Sequence, residues 1–182
     1  TRSFALGSGG SITGTVTNTT YNAQTQTQSA AVLANFIAAD VTNGTVGATG
    51  VATGRNAGSY TSNLSATGAD AGNYNVTIVN KDLVIGKKDA TITGTTTNVT
   101  YNAQTQTQSA AVLDGFINAD VTNGTVAATG LATGRNAGSY TSNLLATGAD
   151  AGNYNITIVI ISNYNSYCYY YDFNYDYVNI QN

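Results

Sequence analysis

The chain has no histidine and no glutamate, a single cysteine, and few charges of either sign. Each shortage excludes a kind of chemistry. Without imidazole, the commonest general base and metal ligand is missing. One cysteine and no glutamate leave no zinc-type ligand spacing and no thiol–imidazole pair. Serine and aspartate are present, but a serine with no imidazole or placed lysine beside it has no base to activate it. No glycine-rich element has the spacing of a P-loop or a dinucleotide fingerprint. The sequence therefore reads as non-enzymatic, without cofactor or metal. Charged residues make up 8% of the chain, against roughly 25% in ordinary soluble domains. No basic cluster exceeds Lys87-Lys88, so counterion release from a phosphate backbone has little to draw on and no nucleic-acid partner is expected. No apolar run approaches the ~20 residues of a membrane helix, and no membrane insertion is expected in this segment. Cys168 has no partner for an internal disulfide, and cysteine-free repeats suit an exported protein.

What the chain does have is repetition. Residues 11–79 return at an offset of 80 without a gap, with about 59 of 69 positions identical. Tyr21-Asn22-Ala23-Gln24-Thr25-Gln26-Thr27-Gln28 reappears unchanged from Tyr101 to Gln108, and Asp70-Ala71-Gly72-Asn73-Tyr74 from Asp150 to Tyr154. A fixed period is the signature of an array. The expected organisation is a flexible lead-in (1–10), a first β repeat (11–86), a short linker (87–90) that makes the pair a semi-rigid rod, a second repeat (91–159) and a divergent tail (160–182). With neither an initiator Met nor a signal or anchoring segment, the chain reads as an excerpt from a longer polypeptide. Repeats of this size bury only about 60–65% of their unfolded surface, so a thin core is expected.

Thr, Tyr and Val favour strands, and the many Asn, Gly and Asp residues mark turns. The fold class expected is all-β, as two tandem sandwich- or β-grasp-like domains, the second incomplete. Ile12 to Val16 reads as a first strand, with a polar alternation from Thr25 to Gln28. Ser29 to Asp40 is ambiguous: Val32, Leu33, Phe36 and Ile37 have helical spacing, yet the second copy places Asp114-Gly115 there, which favours a turn. An apolar segment bent by a turn, with at most one or two helical turns, is expected. Tyr74, Val76 and Ile78 should share one strand face and Asn75 and Thr77 the other. Leu83-Val84-Ile85 reads as a closing strand. The second copy lacks it, because Ile160-Ile161-Ser162-Asn163-Tyr164-Asn165 stands where the first has Asn80-Lys81-Asp82-Leu83-Val84-Ile85. The Tyr-rich tail either takes that strand's place or marks a frameshift that leaves a truncated fragment without a function of its own.

Several polar groups invite ligands. Asp40, Asp70, Asp120 and Asp150 lack the Asp-x-Asp clustering of calcium sites and read as turn-capping carboxylates. Arg55 and Arg135 read as partners of an Asp or a turn carbonyl rather than ligand clamps. The Thr-rich run from Thr91 to Thr97 lacks the short period an ice-binding array needs. The Asn-x-Thr sequons at Asn18, Asn43, Asn75, Asn98, Asn123 and Asn155 follow from composition alone.

The segment Leu64-Ser65-Ala66-Thr67-Gly68-Ala69-Asp70-Ala71-Gly72-Asn73-Tyr74 resembles the Leu-Ser-Gly-Ala-Asp-Ala-Gly-Asn-Tyr hallmark of bacterial YDG/MBG-type repeats. Tyr21-Asn22-Ala23 sits where those repeats carry Tyr-Asp-Gly, and the segment from Asp114 to Asp120 is similar to their Gly-Val-Val-Ala-Gly-Asp. The resemblance covers about residues 11–159. It implies a repeat of a filamentous-haemagglutinin-like adhesin exported by two-partner secretion, at the outer-membrane-associated bacterial cell surface. Its partners would be neighbouring repeats of the same polypeptide and an unknown host receptor or glycan. The motif residues carried by the resemblance are structural: Tyr21, Asp40, Asp70, Gly72, Asn73 and Tyr74, with Tyr101, Asp120, Asp150, Gly152, Asn153 and Tyr154 in the second copy. Two other readings stand beside it. A carbohydrate-binding module would need Tyr21 or Tyr60 exposed beside a groove, and an edge-strand assembler would pair chains through the run from Gln24 to Gln28.

Overall fold

A computed structural model describes residues 9–161, 168–171 and 177–180. The chain divides into two units at Gly86/Lys87, and both are β-rich, with one α-helix of five residues and one three-residue 3-10 turn in each among the described residues.

In the first unit the strands are β1 (Gly9–Thr13), β2 (Thr17–Thr20), β3 (Gln26–Thr27), β4 (Val32–Ala34), β5 (Gly47–Thr49), β6 (Thr53–Gly54), β7 (Gly58–Thr61), β8 (Ser65–Thr67), β9 (Asn75–Val79) and β10 (Asp82–Gly86). Helix α1 (Ala38–Thr42) lies between β4 and β5. The first and last segments of the repeat run side by side. β1 pairs in parallel with β9, and β2 in parallel with β10. The chain passes from one sheet to the next at Gly14, whose N–H donates to the Val79 carbonyl at 2.8 Å. β4 and β7 complete the two three-stranded sheets from the antiparallel side, while β3–β6 and β5–β8 form small two-stranded antiparallel pairs.

β10 is the central strand of its sheet, and its alternation explains its place. Leu83 and Ile85 are 0% and 2% exposed, whereas Val84 faces out. With Ile12, Tyr21, Val46, Ala52 and Leu64 they form the buried apolar set of the first unit. On β9 the expected register holds only in part: Val76 is half-buried between exposed Asn75 and Thr77, but Ile78 is 40% exposed, whereas its counterpart Ile158 is 5% exposed.

The ambiguous segment resolves into β4, a tight turn and α1. Asn35 has φ 62° and its counterpart Gly115 φ 75°. The two copies thus place the residue types that best tolerate the left-handed region at the same corner. That corner ends the strand and leads into the helix, which is limited to the five residues of α1.

The second unit contains β11 (Lys88–Thr93), β12 (Gln106–Thr107), β13 (Val112–Asp114), helix α2 (Asn118–Thr122), β14 (Ala127–Thr129), β15 (Thr133–Gly134), β16 (Leu145–Thr147), β17 (Tyr154–Ile161), β18 (Cys168–Tyr171) and β19 (Tyr177–Ile180). Two expected boundaries need correction. The lead-in stops at residue 8, because Gly9 and Gly10 already pair with Asn75 and Val76. The linker shrinks to Lys87, because Lys88, Asp89 and Ala90 pair with Tyr154, Asn155 and Ile156. Backbone ladders there satisfy groups that a free linker would leave to water.

β17 runs straight on through Ile161 where β9 turns at Asn80-Lys81, and β18 pairs antiparallel with its far half, followed by β19. The described strands of the tail, β18 and β19, therefore extend the β11–β17 sheet and do not take the place of β10. Residues 162–167, 172–176 and 181–182 lie outside the described residues.

Candidate interaction surface

The motif residues converge on one structural clasp per repeat. The Tyr74 hydroxyl donates to Asp40 Oδ2 at 2.6 Å and accepts from the Ile37 N–H at 3.1 Å. Ile37 is the N-cap of α1, which has no side-chain cap of its own, so a tyrosine 37 residues away serves one of the helix's orphan amides. The Phe36 ring meets Tyr74 edge-on at 4.9 Å. Asp70 closes the adjoining turn, accepting from Asn73 Nδ2 at 3.2 Å and donating its N–H to the Thr45 carbonyl. In the second repeat Tyr154, Asp120 and Ile117 repeat the clasp at 2.6 and 3.1 Å, and Asp150 accepts from Asn153. The hydrogen bond to Asp40, followed by burial, holds the Tyr74 phenol above its ordinary pKa of 10.0. Asp40 thus works through a tyrosine hydroxyl rather than by capping a turn. A Cβ on Gly72 or Gly152 would meet nothing within 4 Å, and nothing in the structure demands glycine there.

The second motif position organises the other end of the repeat. Asn22 Oδ1 accepts from the Gln24 N–H at 2.9 Å, and Ala23 adopts φ 62°. Arg55 Nε donates to the Ala23 carbonyl at 3.2 Å, with its guanidinium 6.0 Å from the Tyr21 ring centroid. Arg135 makes the same bond to Ala103 at 3.1 Å. The arginines are turn-carbonyl partners, as the sequence indicates.

Sequence reasoning missed Gln28. It is buried, donates to the Thr15 and Lys81 carbonyls at 2.8 and 2.9 Å, and accepts from the Ala52 N–H at 3.0 Å. Its amide ties β10 to the body of the repeat. The polar look of the Gln run hid this role, and its identity in both copies carried no signal because nearly everything is identical.

The copies differ most around the closing strand. Gly58 to Thr61 and Gly138 to Thr141 have the same sequence, yet only the first is a strand. Thr17 to Thr20 is a strand as well, whereas residues 97–100 are not. Tyr21 is 2% exposed, its N–H bonded to the Gly86 carbonyl of β10 at 2.9 Å, whereas Tyr101 is 59% exposed. A cleft of about 380 Å³ opens in the second unit between 95–101 and 138–142. Its walls keep their bracing. Tyr140 donates to the Asn136 carbonyl at 3.0 Å, as Tyr60 does to Asn56 at 2.9 Å. Its ring covers Gly134 so closely that no Cβ would fit, as Tyr60 covers Gly54. Gln108 still bonds Thr95 and Ala132.

Among the described residues no three metal-ligating His, Cys, Asp or Glu side chains come together, and no helix is long and apolar enough to cross a membrane. No family model, no curated protein and no solved structure matches the chain.

Proposed function

We propose that this chain is a non-enzymatic structural and adhesive segment of a large bacterial surface-exposed protein, in which tandem β repeats supply length and contact surface. One observation carries the reading: the polar residues best suited to chemistry hold the repeat together, in the same pairs in both copies. Asp40–Tyr74, Asp70–Asn73 and Arg55–Ala23 recur as Asp120–Tyr154, Asp150–Asn153 and Arg135–Ala103. The resemblance to YDG/MBG-type repeats gains support from Ala23, which stands where those repeats carry glycine and has φ 62°, a region glycine enters freely. In this reading the partners are neighbouring repeats and a host receptor or glycan.

Antibodies against the purified repeat pair test the location. They should label intact cells of the organism that encodes the chain, and external protease should remove the label. Labelling only after permeabilisation refutes the reading.

A carbohydrate-binding reading meets an obstacle in the first repeat, where Tyr21 is buried. One observation favours it in the second, where Tyr101 and Tyr140 are exposed at the cleft. A glycan panel probed with the chain and with a Tyr101→Ala variant tests it, and glycan binding that survives the substitution removes the support.

A further inference from the structure

We infer that the cleft of the second repeat is an acceptor site for one extended peptide strand with large aliphatic residues two positions apart, the pattern of Asp82–Gly86. The first repeat displays the occupant in place. There β10 runs parallel to β2 and antiparallel to β7, with Leu83 opposite Thr17 and Tyr60, and Ile85 opposite Thr19 and Gly58. The corresponding wall residues in the second repeat are Thr97, Tyr140, Val99 and Gly138, three of them identical in type and one changed from Thr to the more apolar Val.

Among the described residues no strand fills the site, and it is largely pre-formed. The Arg135–Ala103, Tyr140–Asn136 and Gln106–Thr100 hydrogen bonds match their first-repeat counterparts to within 0.1 Å. The two walls nevertheless lack strand structure, although one of them has a sequence that is a strand when β10 is present. A guest strand would supply backbone partners on both sides at once, the mode of recognition by strand addition. Side-chain pockets for alternate residues would set its specificity. The guest's two aliphatic side chains would point inward where Leu83 and Ile85 do, and the intervening one outward like Val84. The carbonyl at the guest's Gly86 position would accept from the Tyr101 N–H, as Gly86 does from Tyr21. Exposed Tyr101 would then be covered.

A second copy of the chain is the weaker donor. Its own Asp82–Gly86 already fills its first repeat, and moving that strand would empty one slot to fill another. The observations favour a peptide whose strand is not already paired. This inference depends only on the fold of the second repeat, not on where the protein resides, so it stands or falls independently of the surface reading.

The probe is a synthetic peptide covering residues 82–88 (Asp-Leu-Val-Ile-Gly-Lys-Lys), labelled with fluorescein and titrated into the full chain by fluorescence anisotropy. Saturable 1:1 binding is expected. A peptide carrying Leu83→Asp and Ile85→Asp should bind about 100-fold more weakly or not at all, since both buried aliphatic contacts are lost. Hydrogen exchange on the complex locates the guest: amides at 97–100 and 138–141 should slow by about tenfold or more, while those at 17–20 and 58–61 should not change. Absence of saturable binding overturns the inference, as does equal binding of the Asp-substituted peptide or protection outside the cleft walls. A chain dimer that excludes the peptide overturns it in favour of a second copy. Glycan binding at Tyr101 without peptide binding overturns it in favour of a sugar site.

Discussion

Tyr21 and Tyr101 occupy the same place in two copies of one sequence, within an identical stretch running from Thr20 to Leu33 and from Thr100 to Leu113. Their burial is opposite, at 2% and 59% exposed. The same substitution in each should therefore have different consequences, and sequence context cannot explain the difference. Tyr21→Ala removes a ring held almost wholly out of water beside the Arg55 guanidinium, on a residue whose N–H bonds the Gly86 carbonyl of β10. Truncating a buried aromatic costs about 3–5 kcal/mol. For a repeat of this size, total stability at about 0.05–0.15 kcal/mol per residue comes to roughly 4–12 kcal/mol, so the loss is a large share of it. Tyr101→Ala removes a largely solvated ring and should fall within about 0.5 kcal/mol of neutral. The assay is hydrogen exchange by mass spectrometry on the full chain over a urea series. Fragments spanning 76–86 and 156–161 differ between the copies and report on each repeat separately. Tyr21→Ala should accelerate exchange through the first repeat and leave the second unchanged, whereas Tyr101→Ala should change neither by much. Equal losses from the two substitutions, or a larger loss from Tyr101→Ala, would refute the claim that β10 creates the first repeat's second sheet.

Three further outcomes follow from the clasps and turns. Tyr154→Phe strips a hydroxyl from buried Asp120 and the Ile117 amide and should destabilise the second repeat by about 1–3 kcal/mol, read from the same exchange experiment. Tyr74→Phe should show a pH signature. The folded-state pKa of Tyr74 is raised, so its contribution is fully present below the unfolded value of about 10 and fades as pH climbs through the folded value. The gap in urea midpoint between wild type and Tyr74→Phe should therefore be constant from neutral pH upward and narrow above about pH 10; a gap that widens there contradicts the assignment. Finally, Ala23→Gly and Ala103→Gly relieve a left-handed alanine, worth roughly 1–2 kcal/mol, against the roughly 0.5–1 kcal/mol that glycine's extra unfolded freedom costs. A net gain of about 0.5–1 kcal/mol per site by urea denaturation is expected.

The parts of the fold legible in the sequence are those governed by local rules. The apolar run Leu83-Val84-Ile85 marked the closing strand, though not that Leu83 and Ile85 rather than Val84 would be buried, and Asp114-Gly115 marked the corner that Asn35 turns in the first copy. The clasp residues were visible as a motif, but not their bond. Asp40 and Tyr74 are 34 positions apart, and nothing local says that a tyrosine hydroxyl will serve the start of a short helix. Gln28 was illegible for a similar reason, since its three partners come from three distant segments. The parallel pairing of the repeat's first and last segments was equally hidden, because register between distant strands leaves no mark in either one.

The two copies also show what secondary structure requires in this protein. Gly-Ser-Tyr-Thr is a strand at 58–61 and not at 138–141, with its Arg, Tyr and Gln braces intact in both places. Intrinsic preference is therefore the same, and what differs is the neighbour. β10 presents two ladders, one to each side, and its Gly86 carbonyl accepts from the Tyr21 N–H. It is also the last strand of its repeat, so its pairing with β2 closes a loop of more than sixty residues at an entropic cost that grows only slowly with length. A strand in that position acts as a keystone: it can be absent while the rest of the repeat keeps its clasp, its turns and its first sheet, as the second unit demonstrates. The same independence makes the vacated place a binding surface, because the walls do not collapse when the centre is missing.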